Sequence, residues 1–310
     1  MAPSKFLIGS RGSKLALVQA NWVKGALTTR HPDLEVEIVI TKTSGDIFTD
    51  QPLSQVGGKG LFTKEIEEAL LEGKVDLAVH SLKDLPTVLP HGLCLAAVTE
   101  REDARDAFVS NKFPRLAALP RGAVVGTSSL RRQSQLLQIR SDLEIRNLRG
   151  NLDTRLRKLD EGQYDAIILA CAGLVRLGLG HRITERFPTS EICPAIGQGA
   201  LGIEARSGDT RILEQLECLD HRATRLATQA ERAFLKSLGG GCQVPIAGFG
   251  HLEREQLHLT GVVASTDGRK TYRHALQSDP SQAERLGIRL AKHLLSLGAG
   301  EVLGVPDTKK

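Results

Sequence analysis

At 310 residues the chain exceeds one ordinary domain, and with 41% hydrophobic residues it has the material for more than one core. The net charge of +5 is modest and aromatic residues make up only 4%, which counts against a stacking platform for single-stranded nucleic acid. Five cysteines without CxxC spacing indicate neither a disulfide framework nor a zinc knuckle. Without a long apolar run at the N-terminus or elsewhere, the expectation is a cytoplasmic protein with no membrane span and no metal.

The first predicted strand is KFLIG, residues 5–9, running into a helical pattern carried by Leu15, Leu17, Val18, Trp22, Val23 and Leu27. Arg11 and Ser13 fall at the strand-to-helix junction, where open α/β sheets meet their ligands, and Gln19 is a further polar candidate on that helix. His31-Pro32 ends the helix, and LEVEIVITKT reads as a strand. The polar segment around Gly57, Gly58, Lys59 and Gly60 is not a Walker loop. It reads as a lid in which Lys59 offers a charge to an anion, or simply as a surface loop.

A helix over FTKEIEEALLEG precedes a strand at 75–79, whose end delivers His80, Ser81, Lys83 and Asp84. Pro86 biases Leu85 toward an extended shape, so Lys83 and Asp84 occupy a constrained turn beyond a sheet edge. A carboxylate among cations there can hold an N–H group or steady developing positive charge; the alternative is a local ion pair serving the turn. LCLAAVT is another strand, and REDARDAFVS reads as a transition into a second unit.

The second unit opens with VVG and a helix capped by Thr127, Ser128 or Ser129. Between Gly126 and Arg157 stand seven arginines, at 131, 132, 140, 146, 149, 155 and 157, against Asp142, Glu144 and Asp153. Arg131 and Arg132 fall in the first helical turn, the unfavourable end of the dipole for a cation, which favours an anion beside them; the alternative is a solvated basic helix start. EIRNLRG reads as a strand, LDTRLRKLDEG as a helix and YDAIILA as a strand. Arg149 and Arg155 flank one strand-to-helix junction, and Arg176 lies in a late-strand loop. EGQYDAII echoes EGKVDLAV at 72–79, which suggests two α/β lobes of similar design facing a cleft.

GALGIEAR is a strand expected to return to the first lobe, and residues 212–239 read as helical. Strands IAGFGHL, QLHLTGVVAS and KTYRHAL, with a tight turn at Asp267-Gly268 and a helix from about 283 to 297, close a small α+β unit. Cys94 and Cys171 suit buried apolar strands. Cys242 does not. Gly239, Gly240 and Gly241 precede it and Pro245 follows, so a bulky group could approach the sulfur, as a nucleophile, redox site or attachment point requires.

Over essentially its full length the sequence resembles the porphobilinogen deaminase family. The matching stretches are VGGKGLFTKEIE, DLAVHSLKDLP, REDARDAFVS, VVGTSSLRRQ, NLRGNLDTRL, YDAIILACAGLVRLG, PAIGQGALGIEAR and GGGCQVPI, in that order. The resemblance implies an α/β fold with two periplasmic-binding-protein-like (type II) lobes around a cleft and a small C-terminal α+β domain. The corresponding boundaries are 1–100 together with 200–218, then 101–199, then 219–310. It implies a dipyrromethane cofactor joined to Cys242 through a thioether, and a deaminating transferase that adds four porphobilinogens to it and releases hydroxymethylbilane by hydrolysis. Asp84 matches the catalytic acid. Arg11, Ser13, Lys83, Ser129, Arg131, Arg132, Arg149, Arg155 and Arg176 match positions that bind cofactor and substrate carboxylates. Gln19, Lys59, Ser81, Thr127, Asn151 and Gln198 match supporting or lid positions. Gln55 departs from members that carry lysine before VGGKG. The family further implies a monomer acting on a small molecule, without nucleic acid or membrane as partner. A two-lobed solute-binding module would share the basic cleft but has no use for the GGGC loop.

Overall fold

The computed structural model describes residues 5–47, 60, 62–239 and 244–304. Its first unit is built from β1 (Lys5–Ser10), α1 (Lys14–Arg30), β2 (Glu35–Ile40), the single turn α2 (Ser44–Ile47), α3 (Lys64–Leu71), β3 (Leu77–Ser81) and β4 (Leu93–Val98). The second contains β5 (Asp106–Val109), β6 (Val124–Gly126), α4 (Leu130–Ile139), β7 (Glu144–Arg146), α5 (Leu152–Asp160), β8 (Ala166–Ala170), α6 (Cys171–Arg176) and β9 (Glu185–Arg186). The chain then runs through β10 (Leu201–Arg206), α7 (Thr210–Leu216), α8 (Arg222–Ser237), β11 (Ile246–Glu253), β12 (Gln256–Ala264), β13 (Thr271–Ser278), α9 (Ala283–Leu294) and α10 (Gly300–Leu303).

Two five-stranded sheets carry the first two units, ordered β2-β1-β3-β10-β4 and β7-β6-β8-β5-β9. The two orders match position for position. In each, the first three strands are parallel and the fourth is antiparallel to both neighbours. That antiparallel strand is the one by which the chain enters from the other unit: β5 arrives from the first lobe and β10 from the second. Two crossings therefore join the lobes, just before β5 and just before β10. GALGIEAR thus lies in the first sheet. Its core also takes Ile212, Leu216 and Leu219, alongside Phe6, Ile8, Leu27 and Ile203.

Several local readings differ from the sequence expectation. REDARDAFVS is no mere transition, because Asp106–Val109 is the fully buried strand β5. The helix expected across 212–239 breaks at Asp220, whose Oδ1 accepts from Val98 N at 2.8 Å and whose Oδ2 accepts from Arg225 Nε at 2.6 Å. His221 then caps α8 by accepting from Thr224 N. Residues after β8 form α6 rather than a loop, with Cys171 at its start rather than inside a strand. Strand β3 runs through His80 and Ser81, so only Lys83 and Asp84 stand beyond it, on a turn of 3-10 helix.

The third unit stacks α8 and α9 on the antiparallel sheet β11-β12-β13. The helices approach closely because Gly287 has no side chain. A Cβ there would lie 2.2 Å from Ala230 O, inside any tolerable contact.

Candidate active site

The first wall of the cleft is the end of β1 and β3. Ser13 caps α1, its Oγ accepting from Ala16 N at 3.3 Å. Buried Gln19 donates from Nε2 to Ser81 Oγ at 2.9 Å, which fixes both polar groups at the strand end. The Arg11 guanidinium lies 4.3 Å from the centre of the Phe62 ring. Arg11, Ser13, Gln19, His80, Ser81 and Asp84 line one pocket. The turn bearing Lys83 and Asp84 is held from behind. Arg232 of α8 donates to Leu85 O at 3.0 Å and Pro86 O at 2.6 Å. Among the described residues Asp84 has no hydrogen bond or ion pair.

The opposite wall comes from the second lobe. Ser129 caps α4 by accepting from Arg132 N, and Thr127 Oγ1 accepts from Ser129 N at 3.2 Å. The anion demanded by the arginines that follow is internal. Asp106, 0% exposed, takes Arg131 Nη1 at 2.7 Å, Arg132 Nη2 at 2.7 Å, Arg132 Nε at 3.0 Å and Gln198 Nε2 at 3.0 Å. Arg131 also donates to Cys193 O and Arg132 to Ile168 O. Burial pushes the Asp106 carboxyl up, but the two guanidiniums outweigh it and hold the group far below the usual carboxylate range. The expectation of an outside ligand as their first partner is corrected by that carboxylate, although the trio keeps one net positive charge.

That excess is felt across the cleft. Arg155 donates from Nε to its own loop at Gly150 O, 2.8 Å. Burial, then Arg132 and Arg149, lower its guanidinium to about 10, with Asp84 opposing. Burial also lowers the Lys83 ammonium, to about 8; Asp84 and Asp106 pull up, Arg132 and Arg131 push down. By accessible surface Lys83 is exposed, so water in the open cleft screens part of that burial; the downward direction rests on both crowding and neighbouring cations. Five cations thus act around two carboxylates, Asp84 and Asp106.

Other expected residues sit less centrally. Arg176, on α6, donates to Gly199 O at 2.6 Å, at the crossing between lobes. Gln198 is buried there too, bonded to Ala104 O as well as Asp106. Asn151 occupies the cap position of α5 without a side-chain cap bond. Cys242 and Lys59, like Gln55, lie outside the described residues. Across the cleft Lys14 Nζ meets Asp153 Oδ2 at 2.8 Å. The buried thiols of Cys171 and Cys193 are unreactive in character: burial pushes both up to about 12.

Sequence reasoning missed Asp106, which a run of charged residues disguised as loop. It also missed Glu231 of α8. This buried carboxylate accepts from Arg101 Nη2 at 2.8 and 2.9 Å, Gly197 N at 2.6 Å and Gly250 N at 2.7 Å. The apolar periodicity of α8, into which a charged residue intrudes, was the available signal.

Fold and site together define a two-lobed α/β protein with cations gathered around an unpaired carboxylate, and a third domain braced against that carboxylate's turn. Residues 6–214 match the family model described as porphobilinogen deaminase, dipyromethane cofactor binding domain, and residues 225–296 that described as porphobilinogen deaminase, C-terminal domain. The porphobilinogen deaminase of Geobacter sulfurreducens is 53% identical over 303 residues, covering 98% of this chain and 95% of that protein. That of a Synechococcus species is 54% identical over 306 residues, covering 98% and 96%. The chain belongs to the porphobilinogen deaminase family. Among solved structures the methionine-binding protein MetQ aligns at 15% identity over 69% of this chain and 88% of its own, with a TM-score of 0.45.

Proposed function

We propose that the cleft between the lobes is where this family's reaction runs, with Asp84 as its central carboxylate and the surrounding cations as its carboxylate receptors. The chain is a deaminating transferase of tetrapyrrole biosynthesis that polymerises porphobilinogen on a dipyrromethane primer. One observation carries the site assignment: Asp84 is unpaired among the described residues and acts on both Lys83 and Arg155, which in turn feel the charges of Arg131, Arg132 and Arg149. Like charges so crowded are unfavourable until anions join them. A pyrrole bearing acetate and propionate supplies those anions and brings ring N–H groups for Asp84 to accept.

The residues fit the primer. Lys83 and Arg149 have no carboxylate partner among the described residues, and Arg155 keeps its Nη groups free of any described bond, so bidentate carboxylate contacts are open there. Arg11, Ser13 and Ser129 add donors at the two helix starts, and Arg131 and Arg132 add the net charge that Asp106 leaves over. Arg176 holds the crossing from which Gln198 reaches Asp106. When bound, the primer supplies a nucleophilic pyrrole carbon. The chain's own part is to neutralise carboxylates, register the rings and keep Asp84 facing the positive charge that develops as ammonia leaves. Cys242 is the proposed anchor. α8, which leads into its loop, is the helix whose Arg232 braces the Asp84 turn. We read residues 1–100 with 200–218 as the first lobe, 101–199 as the second and 219–310 as the anchor domain; packing of α7 on the first core supports the split.

The test is intact mass under denaturing conditions, before and after incubation with porphobilinogen, for the parent and Cys242→Ser. Added mass equal to a dipyrromethane on the parent alone, with ammonia released, is the expected result. A parent that gains no mass and consumes no porphobilinogen would overturn the assignment.

A further inference from the structure

Behind the Asp84 pocket, between α3 and the first sheet, lies a group of ionisable side chains with no role so far. His80 is 5% exposed, Glu204 0% and Glu67 8%. His80 and Glu204 share one face of the sheet. Glu204 pairs with Ala78 and Gly202 with His80, so the two are diagonal neighbours. His80 Nε2 lies 3.2 Å from Glu204 Oε2. Neither Glu204 oxygen, nor His80 Nε2, nor Glu67 Oε1 has an aligned hydrogen bond to another group. Buried polar atoms are rarely left so. His80, unlike Glu204 and Glu67, also lines the pocket that Asp84 and Arg11 line, so one end of the buried group borders the proposed reaction space.

We propose, on the basis of the function assigned above, that His80 is the proton acceptor of the condensation, oriented by Glu204 and backed by Glu67. The reaction needs one. The substrate's aminomethyl group enters as an ammonium; its carbon–nitrogen bond breaks and the electron pair leaves with ammonia. The methylene carbon bonds the free α-carbon of the receiving pyrrole, whose hydrogen must then depart as a proton. That proton passes through His80 and ends on the ammonia, which leaves as ammonium, so atoms and charge balance. Of the side chains lining the pocket, arginine remains protonated and a carboxylate is a weak base at neutral pH. An imidazole, ordinarily near 6.5, is matched to the task. With Nε2 3.2 Å from Glu204, a hydrogen held on that nitrogen leaves Nδ1 as the acceptor, and the Glu204 charge stabilises the imidazolium as it forms.

The surroundings favour that cycle. Burial, the largest influence, and the nearby Glu204 charge raise Glu67, while Thr63 and His80 oppose; Glu204, 3.2 Å from the ring, is the counter-ion that the geometry offers His80. Glu65 adds to the rise in Glu67 from the same helix. From the other elements, Glu204 faces the Cys94 thiol of β4 and Arg232 of α8, and Arg225 stands near that thiol.

The experiment compares cofactor-loaded parent, H80Q, H80A and E204Q by kcat and KM for porphobilinogen across pH. H80Q is expected to lower kcat by about 10²–10⁴-fold with little change in KM, and added imidazole to restore part of the H80A rate. E204Q, by removing the charge that stabilises the imidazolium as it forms, is expected to lower kcat with little change in KM. In protein carrying Cys242→Ser, and therefore no cofactor, E204Q is expected to shift the ring nitrogen resonances of His80 by changing which nitrogen holds the hydrogen; this readout serves even if H80Q fails to fold. Parental kcat in loaded H80Q, an H80A rate indifferent to imidazole, or His80 ring resonances unmoved by E204Q would overturn the proposal. An inactive parent would instead refute the functional reading on which it rests.

Discussion

Replacing Asp106 by asparagine keeps the shape of the side chain and removes its charge. Four donors converge on that carboxylate, three of them from the buried guanidiniums of Arg131 and Arg132. Breaking a buried pair by deleting one partner leaves an uncompensated charge and costs about 3–5 kcal/mol. Here two charges are orphaned, which places D106N at the upper end. Unfolding entropy scales with length, so a 310-residue chain melting as one unit would lose about 5–8 °C in Tm; if the second lobe melts alone the loss is larger. Urea unfolding followed by circular dichroism is the assay. The pH dependence has a fixed sign. Asp106 is depressed in the folded state, so its contribution is present above the ordinary Asp value of about 4 and disappears as pH falls through its folded value. The gap between parent and D106N should hold from neutral pH down to about 4 and close only below it. A gap under about 1 kcal/mol at pH 7, the size of an exposed pair, would refute the claim that Asp106 is the partner of both arginines.

Asp84→Asn should fold like the parent, because the turn is held by backbone bonds to Arg232, yet turn over about 10²–10³-fold more slowly; near-parental turnover by loaded protein removes its role. Lys83 loses its charge as pH rises through about 8, so KM for porphobilinogen should climb there, and K83M should show a raised KM without that climb. Gly199 has φ +93° and a Cβ would lie 2.4 Å from Glu102 O, so G199A should destabilise by roughly 1–3 kcal/mol in urea and disturb the carbonyl that Arg176 holds; an unchanged midpoint would show the crossing to be pliable. Glu67 is raised, so its favourable contribution is present below the ordinary Glu value and lost as pH rises through its folded value. E67Q should therefore gain stability relative to the parent as pH rises above the ordinary Glu value of about 4, and a difference that shrinks instead contradicts the burial argument.

Much of this was legible because local chemistry and global fold agreed. Ser129 was among the three hydroxyls read as possible caps, Ser13 was placed at a strand-to-helix junction where it proves to be the cap, and Pro86 marked the constrained Lys83–Asp84 turn. What was not legible depended on distant partners. Asp106 sits in a charged run that looks like loop, yet antiparallel pairing with β8 and β9 buries it completely. Adjacent arginines at a helix start correctly signalled an anion, but no local rule shows that a residue in β5 supplies it. The break at Asp220 escaped because the helical propensity of 212–239 is continuous. Only the bonds from Asp220 to Val98 and Arg225 fix the turn there. His80 and Glu204 become neighbours only through the register of β3 against β10.

The same dependence on distant partners explains how a third domain can serve a cleft it does not form. Glu231 and Arg232 are consecutive residues of α8, and between them they reach every part that must stay in register. Glu231 takes Arg101 and Gly197, one from each crossing between the lobes, and Gly250 of β11. Arg232 takes the two carbonyls after Asp84. Each accepting oxygen of Glu231 is satisfied, and the residue is fully buried, so moving it away from either crossing would strand a charge in a dry site. The two crossings, the Asp84 turn and the helix that precedes Cys242 in sequence are therefore tied to one point. On the proposed reading, in which a polyanion attached at Cys242 grows past Asp84, that point sets the positions of the lobes, the carboxylate and the anchor domain together.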